Sequence, residues 1–484
     1  MKKIQITLVL ILVSLYQLYS QNSFEVEYGT DESEFFSFSF ENDLNNIISV
    51  GGYRENFGIG DGGPLVIRTN TMGEVLDEMK IFKPDTLGFF FWGFQKSSGN
   101  YFLSGTFSDS VTIHDNELIY FCETTEDFDI VWEKIYQIPE PYINIQMLEF
   151  VFDADSNIII EGRVDSTYGS TNDLLCILKV DQQGNLEQFN LYNGWKDAGD
   201  YSVFMCNFDS TGYILYGEIP HNGFLREWVE FDSNFNITNM IPVIDADHYV
   251  TTPVSARWLP DGNIITAYRD YYNFYLKIMD QDFNTLNDTV IDYPESVYVA
   301  VNYGIDYIDE DNIWVGTFEG IPPGWIPGSE IFRIHIFDKN GHLKAMKEFG
   351  GDLRYWFYNL KVTSDGGCIM TGVKDDYYGS YNTNGFLIKV MPDDILTNAE
   401  DTPLAYDRDV SVYPNPFDDY LNIETLRKDL RISLFDVNGQ KILERDISNS
   451  IRSKLFTGNI KSGFYFYNIT DNGRVIQSGK LLKR

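Results

Sequence analysis

Apolar and polar positions along this chain fall into a long repeat. Seven times, a polar turn runs into a short apolar strand that closes on glycine. The copies read Asn46-Ile-Ile-Ser-Val-Gly51, Asn100-Tyr-Phe-Leu-Ser-Gly105, Asn157-Ile-Ile-Ile-Glu-Gly162, Gly212-Tyr-Ile-Leu-Tyr-Gly217, Asn263-Ile-Ile-Thr-Ala-Tyr268, Asn312-Ile-Trp-Val-Gly316 and Gly367-Cys-Ile-Met-Thr-Gly372. Tyr268 takes the glycine place once, and one copy is a residue shorter. The closing positions are 54, 57, 55, 51, 48 and 56 residues apart. A period of this length marks a repeat architecture in which each unit is one supersecondary element.

Each unit has room for four strands. An apolar strand precedes the turn, as in residues 146–152 or 355–362, and a third follows the glycine after a loop, as in 174–180 or 385–390. A second turn leads into a closing strand near Lys80, Lys134 or Lys347. Gly, Asn and Asp at both turns supply the positive φ and local hydrogen bonds that hairpins require. Seven four-stranded units predict an all-β fold, a seven-bladed β-propeller over 21–391, because radial closure leaves few exposed strand edges. The seventh unit stops after its third strand, at Met391. Val26-Glu-Tyr-Gly29 resembles the unit-closing Lys347-Glu-Phe-Gly350. A strand over 24–28 is therefore expected to complete the last blade.

Segment 1–20 lies outside this pattern. Lys2 and Lys3 precede an apolar run from Ile6 to Leu15, and Ser20 offers a small residue before a cut. The run is too short to span a bilayer comfortably and reads as a signal peptide. No second apolar run of spanning length follows, so no membrane span is expected in the mature protein.

Charge is unevenly placed within the formal net −36. From residue 410 on, 12 Lys and Arg stand against 8 Asp and Glu. Without Lys2 and Lys3, the segment before it carries 22 against 64. Such a field disfavours nucleic acid and anionic membranes as partners of the repeat domain. Four cysteines (Cys122, Cys176, Cys206, Cys368) each sit in an apolar run and read as small core residues. No cysteine–histidine cluster suggests a metal. The Asp-rich turns lack the glycine and bidentate glutamate of a calcium loop, and hairpin chemistry accounts for them. No metal or other cofactor is expected.

A polar linker over 392–409 reads as a mobile hinge. After it, Val412-Tyr-Pro-Asn-Pro416, Ile432-Ser-Leu-Phe-Asp-Val-Asn-Gly-Gln-Lys-Ile442, Ser462-Gly-Phe-Tyr-Phe-Tyr-Asn-Ile469 and Gly479-Lys-Leu-Leu-Lys-Arg484 alternate short strands with Asn-Gly and Ser-Gly turns. They predict a small Ig-like β-sandwich over 410–484. This segment resembles the type A C-terminal sorting domain of the type IX secretion system. The resemblance rests on Tyr413, Pro414, Asn415 and Pro416, on the turn at Asn438 and Gly439, on Gly463 and Tyr465, and on the basic terminus with Lys480, Lys483 and Arg484. It implies export through the periplasm and outer membrane to the cell surface or medium. It also implies as partners the secretion machinery and a sortase that removes the domain in the linker or just before Val412, with attachment to anionic lipopolysaccharide.

No hydrolase, zincin, P-loop or dinucleotide motif occurs. His114, His221, His248, His335 and His342 are scattered, with His335 in an apolar strand and His342 after a turn. Function in propellers concentrates in loops at one face, since the strands are committed to packing. The loops after the second strands (54–63, 165–172, 269–272, 320–328, 375–381) are aromatic and glycine-rich. Connections at 194–199, 247–249 and 352–356 should share that face. Trp195, Arg269, Tyr271, Tyr272, Trp325, Trp356, Tyr377 and Tyr378 are the expected ligand contacts, suited to a glycan or a protein hot spot. No catalytic residue is assigned. The alternative is an extracellular hydrolase or lyase acting on polysaccharide or peptide, which needs two opposed carboxylates.

Overall fold

A computed structural model describes residues 23–30, 32–54, 62–83, 85–108, 117–165, 174–196, 203–219, 225–242, 252–269, 273–292, 297–299, 304–319, 331–350, 354–375, 383–396, 410–413, 417, 420–425, 430–436, 439–447, 452–471 and 474–483. The chain divides into two compact units, with the boundary between Thr397 and Asn398.

The first unit holds seven antiparallel sheets in chain order. Sheet one runs Ser33–Glu41, Ile47–Arg54, Gly62–Thr69, Val75–Lys80, and sheet two Leu87–Gln95, Tyr101–Ser108, Glu117–Thr124, Ile130–Gln137. Sheet three is Asn144–Phe152, Ile158–Asp165, Leu174–Val180, Leu186–Lys196. Sheet four is Val203–Cys206, Gly212–Ile219, Leu225–Asp232, Ile237–Pro242. Sheet five is Thr252–Trp258, Ile264–Arg269, Asn273–Met279, Thr285–Asp292. In sheet six the first strand is split into Val297–Val299 and Ile305–Asp309, both paired with Asn312–Glu319, followed by Ile331–Phe337 and Leu343–Gly350. Sheet seven takes Arg354–Val362, Cys368–Asp375 and Thr383–Val390, and its fourth strand is Phe24–Tyr28 from the other end of the chain. That strand pairs antiparallel in the register Phe24 to Lys389, Val26 to Leu387 and Tyr28 to Gly385.

Burial follows strand position. Second strands such as Ile47–Arg54 and Tyr101–Ser108 are buried on both faces, and fourth strands such as Val75–Lys80 and Ile130–Gln137 are largely exposed. A strand covered on both faces needs no polar alternation, which explains the unbroken apolar runs of the repeat. The sheets therefore pack face to face, an all-β arrangement consistent with a propeller-like fold.

The repeated glycine has a specific cause. In sheets one, two, three and seven the first strand carries a β-bulge opposite it, at Phe36/Phe38, Phe90/Trp92, Met147/Glu149 and Phe357/Asn359, and sheet five has the same bulge at Pro253/Ser255 opposite Tyr268. The bulge drives a backbone carbonyl against the second strand. A Cβ on Gly51, Gly105 or Gly372 would lie 2.0 Å from the carbonyl oxygen of Phe35, Phe89 or Trp356. At these three positions only glycine fits without a shift of the backbone.

The residue after the bulge joins neighbouring sheets. Glu149 accepts a hydrogen bond from Phe204 N–H of sheet four, Ser255 Oγ from Ile305 N–H of sheet six (3.1 Å), and Asn359 Oδ1 from Ser39 N–H of sheet one (3.0 Å). Asp306 Oδ2 receives Val362 N–H at 3.0 Å between sheets six and seven. First strands have no ladder partner on their inner side, so their N–H groups need acceptors of this kind.

Turn chemistry follows the sequence. Asp153, Asp181, Asp232, Asp280 and Asp338 each accept, through Oδ1, the N–H groups two and four residues on. The linker departs from expectation at its start. Pro392–Leu396 is a short helix, α1, with proline at its first position and Asp393 and Asp394 in its first turn. Its Ile395 is buried in the core shared by sheets six and seven, so these residues serve packing rather than hinging.

The second unit has two sheets. One is Val410–Tyr413, Tyr420–Thr425 and Arg452–Phe456. The other is ordered Lys441–Ile447, Leu430–Phe435, Gly463–Asp471, Arg474–Lys483. Leu421, Ile423 and Leu455 from the first meet Ile432, Leu434, Ile469 and Leu481 from the second in one core.

Candidate functional site

The ends of the second strands and the starts of the first strands lie together at one end of each sheet. Three residues beyond the repeat glycine, the second strand of sheets one, two, three and seven ends on Arg54, Ser108, Asp165 and Asp375. Their cross-strand neighbours are Ser33, Leu87, Asn144 and Arg354. Two of these pairs are joined by side-chain hydrogen bonds. Asn144 Nδ2 donates to Asp165 Oδ1 at 3.1 Å, and Arg354 Nε to Asp375 Oδ2 at 3.1 Å.

Between sheets one and two this end opens into a cleft of about 250 Å³. Its walls are Phe35, Leu87 and Phe89, with Arg54, Thr106, Ser108 and Glu117 supplying polar atoms. Phe35 and Phe89 meet edge to face with ring centroids 5.4 Å apart, and Phe91 adds a third ring 4.7 Å beyond. Glu117 Oε2 is engaged by Ile145 N–H at 2.9 Å. Burial among these apolar walls lowers the pKa of Arg54.

The expected ligand contacts divide in two. Trp356 is 43 % exposed, but it stands within the first strand of sheet seven, opposite Val373, rather than in a connection. The Arg354 guanidinium lies 5.4 Å from its ring centroid, held there by Asp375. Trp195 belongs to an outer strand that runs on to Lys196, and Arg269 ends the second strand of sheet five; both were expected in loops. The side chains of Trp195 and Arg269, and all of Tyr271, Tyr272, Trp325, Tyr377 and Tyr378, lie outside the described residues. So do His114, His221 and His248. Arg54 and the Phe35–Phe89 pair were not singled out from sequence. The available signal was an arginine ending a second strand in a strongly acidic chain.

Other titratable groups have structural duties. His335 is fully buried, its Nδ1 is 3.2 Å from Val315 O, and burial pushes its pKa down to about 3. His342 is exposed, with Nδ1 3.0 Å from Asp338 Oδ2. All four cysteines are free thiols; Cys122, Cys176 and Cys368 are buried, and burial raises the Cys206 pKa to about 11. Among the described residues, no group of three or more His, Cys, Asp or Glu could hold a metal ion.

Glu149 is a strongly perturbed carboxyl in the interior. It is buried across from the equally buried Glu161, and its Oε1 has no hydrogen-bond partner among the described residues. Burial raises its pKa to about 7 against the opposing pull of Arg257 and of Phe204 N–H. Below pH 4.5, folded and unfolded chains both carry the proton, and the group costs nothing. As pH rises towards 7 the unfolded chain ionises first, so stability falls by about 3 kcal/mol in all. Glu149→Gln keeps an acceptor for Phe204 N–H and removes that slope. Urea unfolding of both proteins from pH 5 to 8 should show the variant gaining steadily over wild type. A pH-independent gap would contradict this reading.

In the second unit, Tyr413 ends its strand opposite Asn422. Gly439 occupies the turn at φ +79°, hydrogen-bonded to Asp436 O at 3.0 Å. Gly463 opens a strand, and buried Tyr465 donates its hydroxyl to Lys461 O at 2.7 Å. Lys480 Nζ covers the exposed Phe464 ring at 4.2 Å, and buried Lys483 lies against Phe417, 5.7 Å from its centroid. The two lysines of the basic terminus thus lie against aromatic rings. Pro414, Asn415, Pro416, Asn438 and Arg484 lie outside the described residues.

Among solved structures, the chain is similar to a protein of unknown function from Bacteroides caccae at 11 % identity and a TM-score of 0.36. That alignment covers 66 % of this chain and 93 % of that one. It is similar to puromycin hydrolase at 11 % identity and a TM-score of 0.46, over 90 % of this chain and 59 % of that one. It is also similar to a polysaccharide lyase at 10 % identity and a TM-score of 0.41, over 76 % of this chain and 99 % of that one. No curated protein matches the chain in sequence. Among the described residues, no helix is long and apolar enough to cross a membrane. Residues 411–484 match the family model described as a secretion system C-terminal sorting domain. The C-terminal module of this chain is therefore a type IX secretion sorting domain, and it marks the protein for export to the cell surface or the extracellular space.

Proposed function

We propose that the exported body of this protein is a recognition module, a seven-bladed propeller that binds a glycan or protein ligand at the face where the second strands end. Closure of the ring is supported by the Asn359–Ser39 hydrogen bond. It joins the seventh sheet to the first with the same chemistry that joins the third to the fourth and the fifth to the sixth. The C-terminal sandwich, Ig-like in this reading, is removed by the sortase between residues 397 and 412, and the body is handed to lipopolysaccharide or shed. A leader over residues 1–20 starts the route.

The observation that carries recognition is the cleft between sheets one and two. It is concave and walled by aromatic rings, with a few polar groups converging on it, as ligand sites are. Hydrolysis of a glycoside calls for two carboxyl groups about 5–10 Å apart across a substrate. Glu117 is the one carboxylate lining the cleft among the described residues, and it is engaged by a backbone N–H. Glu149 and Glu161 are sealed in the interior. The test is a glycan and protein array probed with the intact protein, alongside assays for release of reducing ends or new peptide termini. Retention of a ligand without turnover is the expected result. Turnover that disappears in Glu117→Gln would replace this reading with the hydrolase or lyase.

A further inference from the structure

We propose that the cleft between sheets one and two is a subsite for an acidic sugar, in which Arg54 receives the carboxylate of a uronate residue. This rests on the reading of that face as a recognition surface and specifies the ligand it takes.

Arg54 stands without a charged partner among the described residues. It ends the strand Ile47–Arg54 between Ser33 and Gly62, neither of which carries a charge. Asp165 and Asp375 occupy the same register in sheets three and seven, and each is matched by the residue across from it. Other described arginines are engaged as well: Arg68 with Asp77, Arg333 with Glu348, Arg354 with Asp375 and Arg431 with Asp446. Arg54 is half-buried and makes no hydrogen bond, ion pair or ring contact among the described residues. A cation held among apolar walls without a counter-ion is costly, and in a chain of net −36 acidic partners were abundant. Partly buried groups perturbed in a cleft mark candidate binding sites.

The rest of the cleft defines the anion. A guanidinium presents a planar fork that a carboxylate matches with two parallel hydrogen bonds. Glu117 lines the same cleft, so a singly charged carboxylate meets less repulsion there than a phosphate monoester carrying about two charges. The volume of about 250 Å³ is below the range of about 300–1,000 Å³ typical of larger ligands and suits one sugar ring. Phe35 and Phe89 offer apolar faces to the C–H side of a pyranose, and the hydroxyls of Thr106 and Ser108 face its polar edge.

The experiment titrates the intact protein with D-glucuronate, with D-glucose as the neutral match and with an acetylated dipeptide as a second source of carboxylate. Calorimetry or saturation-transfer NMR is the readout. Glucuronate should bind at least tenfold more tightly than glucose. Arg54→Gln should abolish that preference, and Arg54→Lys should retain part of it. Thermal melting of both variants checks the fold, and Arg54→Lys carries the test if Arg54→Gln melts early. Equal binding of glucuronate and glucose, or a preference that survives Arg54→Gln, overturns the proposal. So does a dipeptide that binds as well as glucuronate. If array glycans without carboxylates bind the wild type and Arg54→Gln alike, the acidic subsite fails and the recognition face stands. If no glycan or protein binds at all, both fail.

Discussion

Deletion of residues 410–484 is expected to stop the protein inside the outer membrane, with surface and medium signals falling to background while periplasmic protein accumulates. The sorting module is a separate compact unit with its own core of Leu421, Ile432, Leu434, Ile469 and Leu481. Its removal takes no residue from the seven sheets, so the retained body should keep its far-ultraviolet spectrum and melting temperature. That pairing of outcomes separates a lost address from a lost fold. Fractionation with protease shaving of intact cells reads the first, and circular dichroism of the purified body reads the second. Normal surface display of the truncated protein would refute the address, and a collapsed body would refute its independence. A milder version targets the module from within. Tyr465→Ala removes a buried ring and its hydrogen bond to Lys461 O, and should cause partial retention.

Excision of residues 23–29 should be nearly as damaging to the body itself. Phe24 and Val26 pack beside Ile47, Ile369 and Leu387, and Phe24 also covers Gly73 in the outer turn of sheet one. Glu27 pairs with Lys374 Nζ at 2.6 Å, and Tyr28 donates to Glu78 of sheet one. Loss of these contacts and of the ladder to Thr383–Val390 should cost about 3–5 kcal/mol, a large share of what holds a domain folded. It also bares a long flat strand edge, the kind that recruits other chains. The expected result is a lower urea midpoint and concentration-dependent association. A synthetic peptide spanning residues 22–30 should reverse both. Unchanged unfolding and a monomeric product would show that the strand is an ornament.

Much of the architecture was legible because turn and strand chemistry repeat. Second strands buried on both faces read as unbroken apolar runs, and Asp–Asn and Gly turns punctuate them. The likeness of Val26-Glu-Tyr-Gly29 to Lys347-Glu-Phe-Gly350 pointed to an outer-strand role, and Phe24–Tyr28 occupies the outer position of sheet seven. The reason for the repeat glycine was not legible, because a bulge is a property of pairing and leaves little trace in one strand alone. α1 was missed because five residues give too short a period to read, and only Ile395 hinted at burial. The candidate site was less legible still. Trp356 stood out for its size and Arg54 only for its place at a strand end in an acidic chain, since an unmatched charge becomes visible only when its neighbours are known.

The pairing of Thr383–Val390 has a mechanical consequence. Attachment through the segment after Leu396 would load α1 first and then bring any drag on the tethered body into the chain at Val390. That strand is gripped on one side by Cys368–Asp375 and on the other by Phe24–Tyr28. Pulling it free means shearing two ladders together, so the pulling point coincides with a doubly clamped part of the chain rather than a fraying end.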